Sequence, residues 1–456
     1  MGKYNLGIIG SGPGGYVAAI RASQLGLNVC VIEKDKTGGT CLNRGCIPTK
    51  VFVQTANILK YINKTKEFGI NIGNCILDFN MISDRKEKIV KRLRNGIEYL
   101  LKKNKIDLIH GYAKLLNKNE IEIEKEGLKE KIYCDNIIIA TGSVPSKIQN
   151  LEIDKKNILT SDEILELKEI PNNLVIIGGG VIGIEFACIF NQFGSKVTII
   201  EMLSEILPLE DIEISQKLTQ ILVRRGVQIY TSSKFKNIKD RKIIVDTPDG
   251  EKEFEFDKLL ICTGRKPCLE NIGLENVKIN FDRYIHVNEK MQTNIDNIYS
   301  VGDITGKSLL AYVAYAQGII ASENISGKDI KINYKVIPNC IFSLPEIGSV
   351  GLTQKHALEK GYEIIVGKFP FSANSKAIIE DEADGFVKII IEKNTKEILG
   401  IHIIGPHATE LIMGPALGLK LEITADEFER IIFGHPTLNE SIYEAVENAF
   451  GRAIHI

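Results

Sequence analysis

Cys41 and Cys46 stand five positions apart, with four residues between them, in the glycine-rich run GGTCLNRGCIPTK, and Lys50 lies four positions beyond the second. Thiols so placed can cycle between dithiol and disulfide, supply part of a metal site, or pack as small apolar groups. Five extended residue steps would hold their Cα atoms roughly 17 Å apart, and a disulfide needs about 7 Å or less, so a bridge requires the fold-back that Gly45 permits. Pro48 belongs in the first turn of a helix, which puts Cys46 at or just before that helix's N-terminus. Free N–H groups and the helix dipole there favour a thiolate, and Lys50, one turn on, can face the same side. A zinc site wants four ligands, and no second Cys/His cluster lies nearby, so no metal is expected. On spacing alone a redox pair and two reduced structural thiols both remain open.

A proton acceptor stands at the far end of the chain. In GHPTLNES, His435 precedes Pro436 and Glu440 follows five positions later, where a carboxylate can orient an imidazole as the third group of a triad. Histidine titrates near neutral pH and so suits general-base work, although a lone His before Pro is more often an ordinary surface or core residue.

These groups need elements to position them, and the sequence repeats one. LGIIGSGPGGYVAAIRASQLGLNVCVIE and LVIIGGGVIGIEFACIFNQFGSKVTIIE each run apolar strand, glycine cluster, helix, glycine, strand, glutamate. Gly10, Gly12 and Gly15 form GxGxxG, and Glu33 lies 23 positions after Gly10. Gly178, Gly180 and Gly183 repeat the spacing, and Glu201 lies 23 after Gly178. The first glycine permits the turn, the second lets a pyrophosphate approach the backbone, and the third lets helix pack on strand, while the terminal acid accepts from ribose hydroxyls. Two dinucleotides are implied. A matched pair of strands closes the units: NIIIATG ends at Thr141-Gly142 and KLLICTG at Thr263-Gly264, each with Pro shortly after. The first unit is longer, and the cysteine turn and a polar helical stretch around Glu67 to Lys103 fill the extra length. From about Ile337 strand-like and helical runs alternate as in an α+β domain.

Composition sets the bounds. The chain has 456 residues, 44% hydrophobic and 25% charged, enough for two to four domains. With 57 basic and 58 acidic residues, charge nominates neither nucleic acid nor an anionic membrane as partner. The N-terminus enters an apolar strand without the regions of a signal or transit peptide, and the most apolar run is broken by glycines and Glu185, so a cytoplasmic protein with no membrane span is expected. Nine cysteines spread over this length are no disulfide framework. The seven outside the turn read as buried small hydrophobes.

GGTCLNRGCIPTK resembles the redox-disulfide signature of the class I pyridine nucleotide-disulfide oxidoreductases. The resemblance continues through GSGPGG, ATG, GGGVIGIEFA, NIYSVGD and FGHPTLNES, in the family order and over nearly the whole chain. It implies an α/β fold with two Rossmann-like three-layer dinucleotide-binding domains, for FAD and NAD, plus a C-terminal α+β dimerisation domain. The expected division is 1–145 for FAD with the redox disulfide, 146–267 for NAD, 268–336 as a central domain completing the FAD site, and 337–456 as the dimer interface.

The resemblance also implies roles. Glu33 would hold the FAD ribose, Lys50 would lie near the flavin in ionic contact with Glu185, and Asp303 would bind the ribityl or pyrophosphate region. The backbone around Ala113 and Ala311, and the strand ends at Thr141, Gly142 and Gly264, would line the cofactor sites. Cys41 and Cys46 would form the disulfide, Cys41 meeting the substrate and Cys46 the flavin. His435, oriented by Glu440, would serve the active site of the other subunit of a homodimer. The implied activity is oxidation of protein-bound dihydrolipoamide with reduction of NAD+, on lipoyl-domain proteins of 2-oxoacid dehydrogenase or glycine cleavage complexes. Another NAD(P)H-dependent disulfide reductase, or a non-catalytic flavin sensor or scaffold, are the alternatives. Where many family members carry His-Ala before His-Pro-Thr, this chain has Phe433-Gly434, which bears on the choice of disulfide. Met202, Leu203 and Ser204 follow Glu201, with no arginine for a 2′-phosphate. A carboxylate about 5 Å from that phosphate costs roughly 3 kcal/mol per unit charge at an effective dielectric of 20, so NAD is expected over NADP.

Overall fold

The computed structural model describes residues 2–456. Apolar runs with glycine-rich ends become buried parallel strands, because only strands covered on both faces read as unbroken Val and Ile. β1 (Gly2–Ile9) leads into α1 (Pro13–Gln24), whose start at Pro13 behind Gly12 uses the proline's fixed φ, and then into β2 (Val29–Glu33), buried throughout. α2 (Gly39–Arg44) and α3 (Cys46–Ile62) follow, separated by Gly45 alone. The polar helix begins later than its composition suggests. Thr65–Phe68 makes one 3-10 turn, residues 70–78 are irregular, and α4 (Phe79–Lys103) starts where the Asp78 side chain accepts from the Met81 N–H at 3.0 Å.

β3 (Asp107–His110), β4 (Tyr112–Leu115), β5 (Glu120–Lys125) and β6 (Leu128–Ile139) complete a sheet in which β3, β2, β1 and β6 run parallel, while β4 and β5 continue from β6 as an antiparallel meander. After β7 (Ser143–Pro145) the second unit begins with β8 (Ile158–Leu159), β9 (Asn173–Ile177), α5 (Val181–Gln192), β10 (Lys196–Ile200), α6 (Ile212–Arg224) and β11 (Gln228–Tyr230). An antiparallel sheet of β12 (Lys234–Lys239), β13 (Lys242–Thr247) and β14 (Gly250–Glu255) comes next, then β15 (Lys258–Ile261). The second parallel sheet has the order β11-β10-β9-β15-β8.

The repeat seen in the sequence extends to single hydrogen bonds. Gly10 N–H donates to Ile32 O at 2.8 Å, and Gly178 N–H to Ile200 O at 2.8 Å. Ala140 N–H donates to Ile9 O and Cys262 N–H to Ile177 O, both at 2.8 Å. Past β15, β16 (Arg265–Pro267) pairs antiparallel with β7, so the chain leaves the first unit and returns to it side by side. β17 (Ile298–Ser300) then joins the first sheet beside β6, and the helix Ala311–Ile325 packs on α1, with Ser322 Oγ donating to Ala18 O at 2.8 Å. The segment around 298–325 therefore builds no sheet of its own but closes the first.

The last part is one antiparallel sheet of β18 (Asn339–Ile341), β19 (Glu346–Gly351), β20 (Ile364–Pro370), β21 (Phe386–Glu392) and β22 (Ile398–Gly405), in the order β18-β19-β22-β21-β20, with the helix Glu440–Ala449 packed on it. Cys75 departs from the expectation of burial: it lies exposed in the irregular stretch before α4, where no apolar face covers it. Cys30, Cys134 and Cys188 are buried, and Cys262, Cys268 and Cys340 are partly so. Among the described residues no helix is long and apolar enough to cross a membrane.

Candidate active site

The two glycine turns are shaped by backbone contact. Gly10 and Gly178 have φ of 103° and 109°, in the left-handed region. A Cβ on Gly15 would stand 1.9 Å from Gly10 O, and one on Gly183 2.0 Å from Gly178 O, so at both positions only hydrogen lets helix approach strand. The other glycines face open space: a Cβ on Gly180, Gly142 or Gly264 would meet nothing within 4 Å, and one on Gly12 only the Gly39 Cα at 3.8 Å. Gly12 and Gly180 are the N-caps of α1 and α5 and make no side-chain hydrogen bond, so the first N–H groups of both helices have no side-chain acceptor from the cap. The acids close each cradle alike. Glu33 accepts from the N–H groups of Ser11 and Asp35, both at 2.9 Å, and Glu201 from those of Gly179 and Leu203 at 2.6 and 2.8 Å. An open glycine edge, uncapped helix N-termini and an acid at the next strand end fit a dinucleotide in each unit.

Gly45 folds the chain back between α2 and α3, and Cys46 is the first residue of α3. Cys41 and Cys46 are free thiols in the structure, the reduced counterpart of the disulfide that the resemblance implies. They are not equivalent. The two neighbouring sulfurs act on each other's ionisation, and this interaction, aided by burial, pushes the Cys41 thiol up. The same interaction lowers Cys46 to about 7, with the Lys50 charge and the helix N-terminus acting in the same direction against burial.

Lys50 Nζ lies 2.9 and 2.8 Å from the two oxygens of Glu185, a buried residue of α5. The carboxylate also accepts from the Phe342 N–H at 3.0 Å, and the Phe342 ring lies under the Lys50 ammonium, 4.6 Å from its centroid. One carboxylate thus joins α3, α5 and the start of the C-terminal sheet. Phe342 escapes sequence reading because its contribution is a backbone N–H and a ring face, neither tied to any motif.

Asp303 follows β17 and accepts from Ser143 Oγ, while Arg265 donates to Ser143 Oγ and O, both at 2.8 Å. Ser143 and Arg265 also went unread, although a signal existed: each follows the Gly of its Thr-Gly strand end, so they hold equivalent places in the repeat. Thr141 Oγ1 donates to Cys268 O at 2.9 Å. Ala311 opens its helix with no side-chain cap, leaving its N–H free for an acceptor, and Ala113 is buried in β4, the outer strand of its meander. Gln317, in the helix that Ala311 opens, accepts from the Gly302 N–H at 2.7 Å and so fixes the turn that carries Asp303.

His435 Nδ1 lies 2.9 Å from Glu440 Oε1, and Glu440 Oε2 accepts from the Thr437 N–H at 2.8 Å. Glu440 opens the helix Glu440–Ala449, and against the cost of burial the Thr437 N–H and the imidazole hold its carboxyl below the usual range. The His435 side chain is 71% exposed, and among the described residues it makes no hydrogen bond to the cysteine turn of its own chain. Phe433 packs between Phe428 and Tyr443, with ring centroids 5.5 Å away on either side, and ties the loop carrying His435 to the C-terminal core. Among the described residues no group of three or more His, Cys, Asp or Glu converges as metal ligands do.

Residues 4–318 match the family model described as pyridine nucleotide-disulphide oxidoreductase, and residues 337–446 the one for the dimerisation domain of those enzymes. A dihydrolipoyl dehydrogenase of Bacillus subtilis is 42% identical over 470 residues, covering 99% of this chain and 99% of its own. One from Mycobacterium leprae is 38% identical over 468 residues, covering both chains completely. Among solved structures, the Cu(II) complex of the HOCl-induced flavoprotein disulfide reductase RclA from Escherichia coli superposes with a TM-score of 0.89 at 30% identity, over 98% of this chain and 99% of that one. LpdA from Mycobacterium tuberculosis superposes with a TM-score of 0.90 at 26% identity and the same coverage.

Proposed function

The chain belongs to the pyridine nucleotide-disulphide oxidoreductases, and from that premise we propose that it works as a dihydrolipoyl dehydrogenase, oxidising protein-bound dihydrolipoamide and reducing NAD+. It uses FAD and NAD and pairs as a homodimer. The observation that carries the reading is the placing of Cys41 and Cys46 on either side of the Gly45 fold-back, Cys46 at the start of α3, beside the Lys50–Glu185 ion pair. A structural role for the two thiols has no need of a lysine ammonium beside a cysteine at a helix start, whereas thiol exchange, which needs a thiolate leaving group, does.

In this reading Cys41 and Cys46 begin as a disulfide. His435 of the partner subunit takes a proton from one thiol of dihydrolipoamide, and the resulting thiolate attacks Cys41 Sγ. The S–S bond breaks and Cys46 leaves as a thiolate, stabilised by the α3 N-terminus and Lys50. The second substrate sulfur attacks the mixed disulfide, Cys41 leaves and takes up its proton, and the product is a cyclic disulfide. Two electrons and two protons have then left the substrate, the electrons residing on the Cys41–Cys46 pair. The chemistry that a bound FAD would supply is two-electron transfer from that pair to NAD+. Gly10, Gly12, Gly15, Glu33, Ala113, Thr141, Gly142, Asp303 and Ala311 would hold FAD, within residues 1–145 and 268–336. Gly178, Gly180, Gly183, Glu201 and Gly264 would hold NAD, within 146–267, and 337–456 would form the dimer seam. The partners would be lipoyl-domain proteins of a 2-oxoacid dehydrogenase or glycine cleavage complex, in the cytoplasm.

The deciding measurement compares NAD+ reduction by dihydrolipoamide with oxidation of NADH or NADPH by glutathione disulfide. Faster turnover in the second assay would overturn the substrate assignment.

A further inference from the structure

Lys388 is the anomaly of the C-terminal sheet: a lysine in the middle of the apolar strand β21, with no solvent exposure. Its Nζ lies 2.8 Å from Asp211 Oδ1 and 2.7 Å from Glu213 Oε1, both belonging to the second nucleotide unit. Lys368 of β20 also binds Glu213. Asp211 is equally buried; its Oδ2 accepts from the Gln354 N–H at 3.1 Å and its Oδ1 from the Glu213 N–H at 3.2 Å, capping α6. An apolar filling would hold two packed surfaces together as well as a buried ion pair does, so the pair invites a reason beyond adhesion.

The reason lies in what Asp211 terminates. Residues 202–210 run from Glu201, at the end of β10, to the start of α6. Leu203 N–H is a donor to the Glu201 carboxylate, and Leu207 N–H donates to Gly179 O at 2.9 Å, inside the glycine turn. Ile206 packs on the same turn, within 3.0 Å of where a Cβ on Gly179 would sit. Leu207 holds φ at 47°, a conformation that a branched side chain keeps only when its surroundings impose it. Ser215 Oγ, one turn into α6, donates to Leu207 O at 3.1 Å. One end of the loop is fixed by the strand; the other is fixed by Lys388.

We propose that Lys388 is a positioning residue for NAD+: by holding Asp211 from the C-terminal domain, it keeps the 202–210 loop seated on the second glycine turn and so aims Glu201 at the ribose. This rests on the reading that the second unit takes NAD+.

The test measures calorimetric binding of ADP-ribose to the FAD-loaded dimer, together with the KM values for NAD+ and dihydrolipoamide, for Lys388→Met, Asp211→Asn and Glu201→Ala. Asp211→Asn keeps a capping oxygen while removing the charge, so it decides the matter even where Lys388→Met does not fold. Lys388→Met and Asp211→Asn are both expected to weaken ADP-ribose binding, the first by about tenfold and the second by less, and to raise KM for NAD+ without moving that for dihydrolipoamide. A lowered melting temperature with unchanged ADP-ribose affinity would make Lys388 a merely structural tie and overturn the inference. Unchanged affinity in Glu201→Ala would instead overturn the assignment of NAD+ to the second unit.

Discussion

Lys50 and Glu185, 135 positions apart in sequence, meet through both carboxylate oxygens at 2.9 and 2.8 Å and tie the redox helix α3 to the first helix of the second nucleotide unit. The pair acts on Cys46 with opposite signs: the ammonium lowers the thiol's pKa and the carboxylate raises it.

Replacing each partner should therefore move Cys46 in opposite directions. Lys50→Met is expected to raise the midpoint of Cys46 alkylation above about 7 by about one pH unit, and Glu185→Gln to lower it by less, because the carboxylate's effect on the thiol is the weaker of the two. Iodoacetamide rates on the pre-reduced protein between pH 5 and pH 10 give both midpoints. Shifts of the same sign would remove the ion pair from control of the thiolate.

The lowered thiol is also a statement about stability. Cys46 sits below its unfolded value, so its contribution is fully present above the unfolded thiol pKa of about 8.5 and is lost as pH falls through about 7. The stability difference between the reduced protein and its Cys46→Ser variant should widen between pH 6.5 and pH 8.5. Urea midpoints at those two pH values, under strong reductant, provide the check.

Glu201→Arg should raise the NADP+/NAD+ ratio of kcat/KM on the order of a hundredfold, since repulsion of the 2′-phosphate becomes attraction. The carboxylate also holds the Gly179 and Leu203 N–H groups, so NAD+ use should fall at the same time. An unaltered ratio in steady-state assays would show that the ribose lies elsewhere.

Gly183→Ala and Gly15→Ala make the same clash, 2.0 and 1.9 Å from a carbonyl oxygen, in different units. The first should yield a yellow protein with impaired NAD+ binding, and the second a protein that has lost FAD. Flavin absorbance at purification, with NAD+ titration of the yellow species, separates them. A colourless Gly183→Ala protein would reverse the order of the sites.

His435→Gln should slow dihydrolipoamide oxidation by about 10²–10⁴, the usual worth of a general base. Glu440→Gln should slow it less, because the imidazole loses its orienting partner but keeps its nitrogen. Cofactor content should be unchanged in both. Rates above half of normal for His435→Gln would assign the proton to another group.

The two nucleotide units and the cysteine turn were legible because glycine, proline and cysteine act at fixed spacing: a left-handed turn, a helix start and a thiol pair each need a particular residue at a particular place. Glu185 and Lys50 could be paired only through the family resemblance, since nothing local links them. The contacts of Phe342, Ser143, Arg265 and Lys388 were opaque for the same physical reason, although the matched places of Ser143 and Arg265 in the repeat were readable. Each acts on a partner more than 100 positions away, and a buried lysine in an apolar strand reads as a misfit until its two carboxylates are seen. The late start of α4 was readable in principle from Asp78, a capping residue hidden inside a stretch whose polarity alone suggested helix.

The β7–β16 ribbon has one more consequence. Ser146 N–H bonds to Gly264 O and Cys268 N–H to Gly142 O, both at 2.9 Å, so residues 146–264 begin and end at one point. Topologically the second unit is a cassette on a two-strand stalk, plugged into an otherwise continuous first unit. Such a cassette can be exchanged for one of different nucleotide preference by two adjacent splices, leaving the order of every strand in the first sheet untouched.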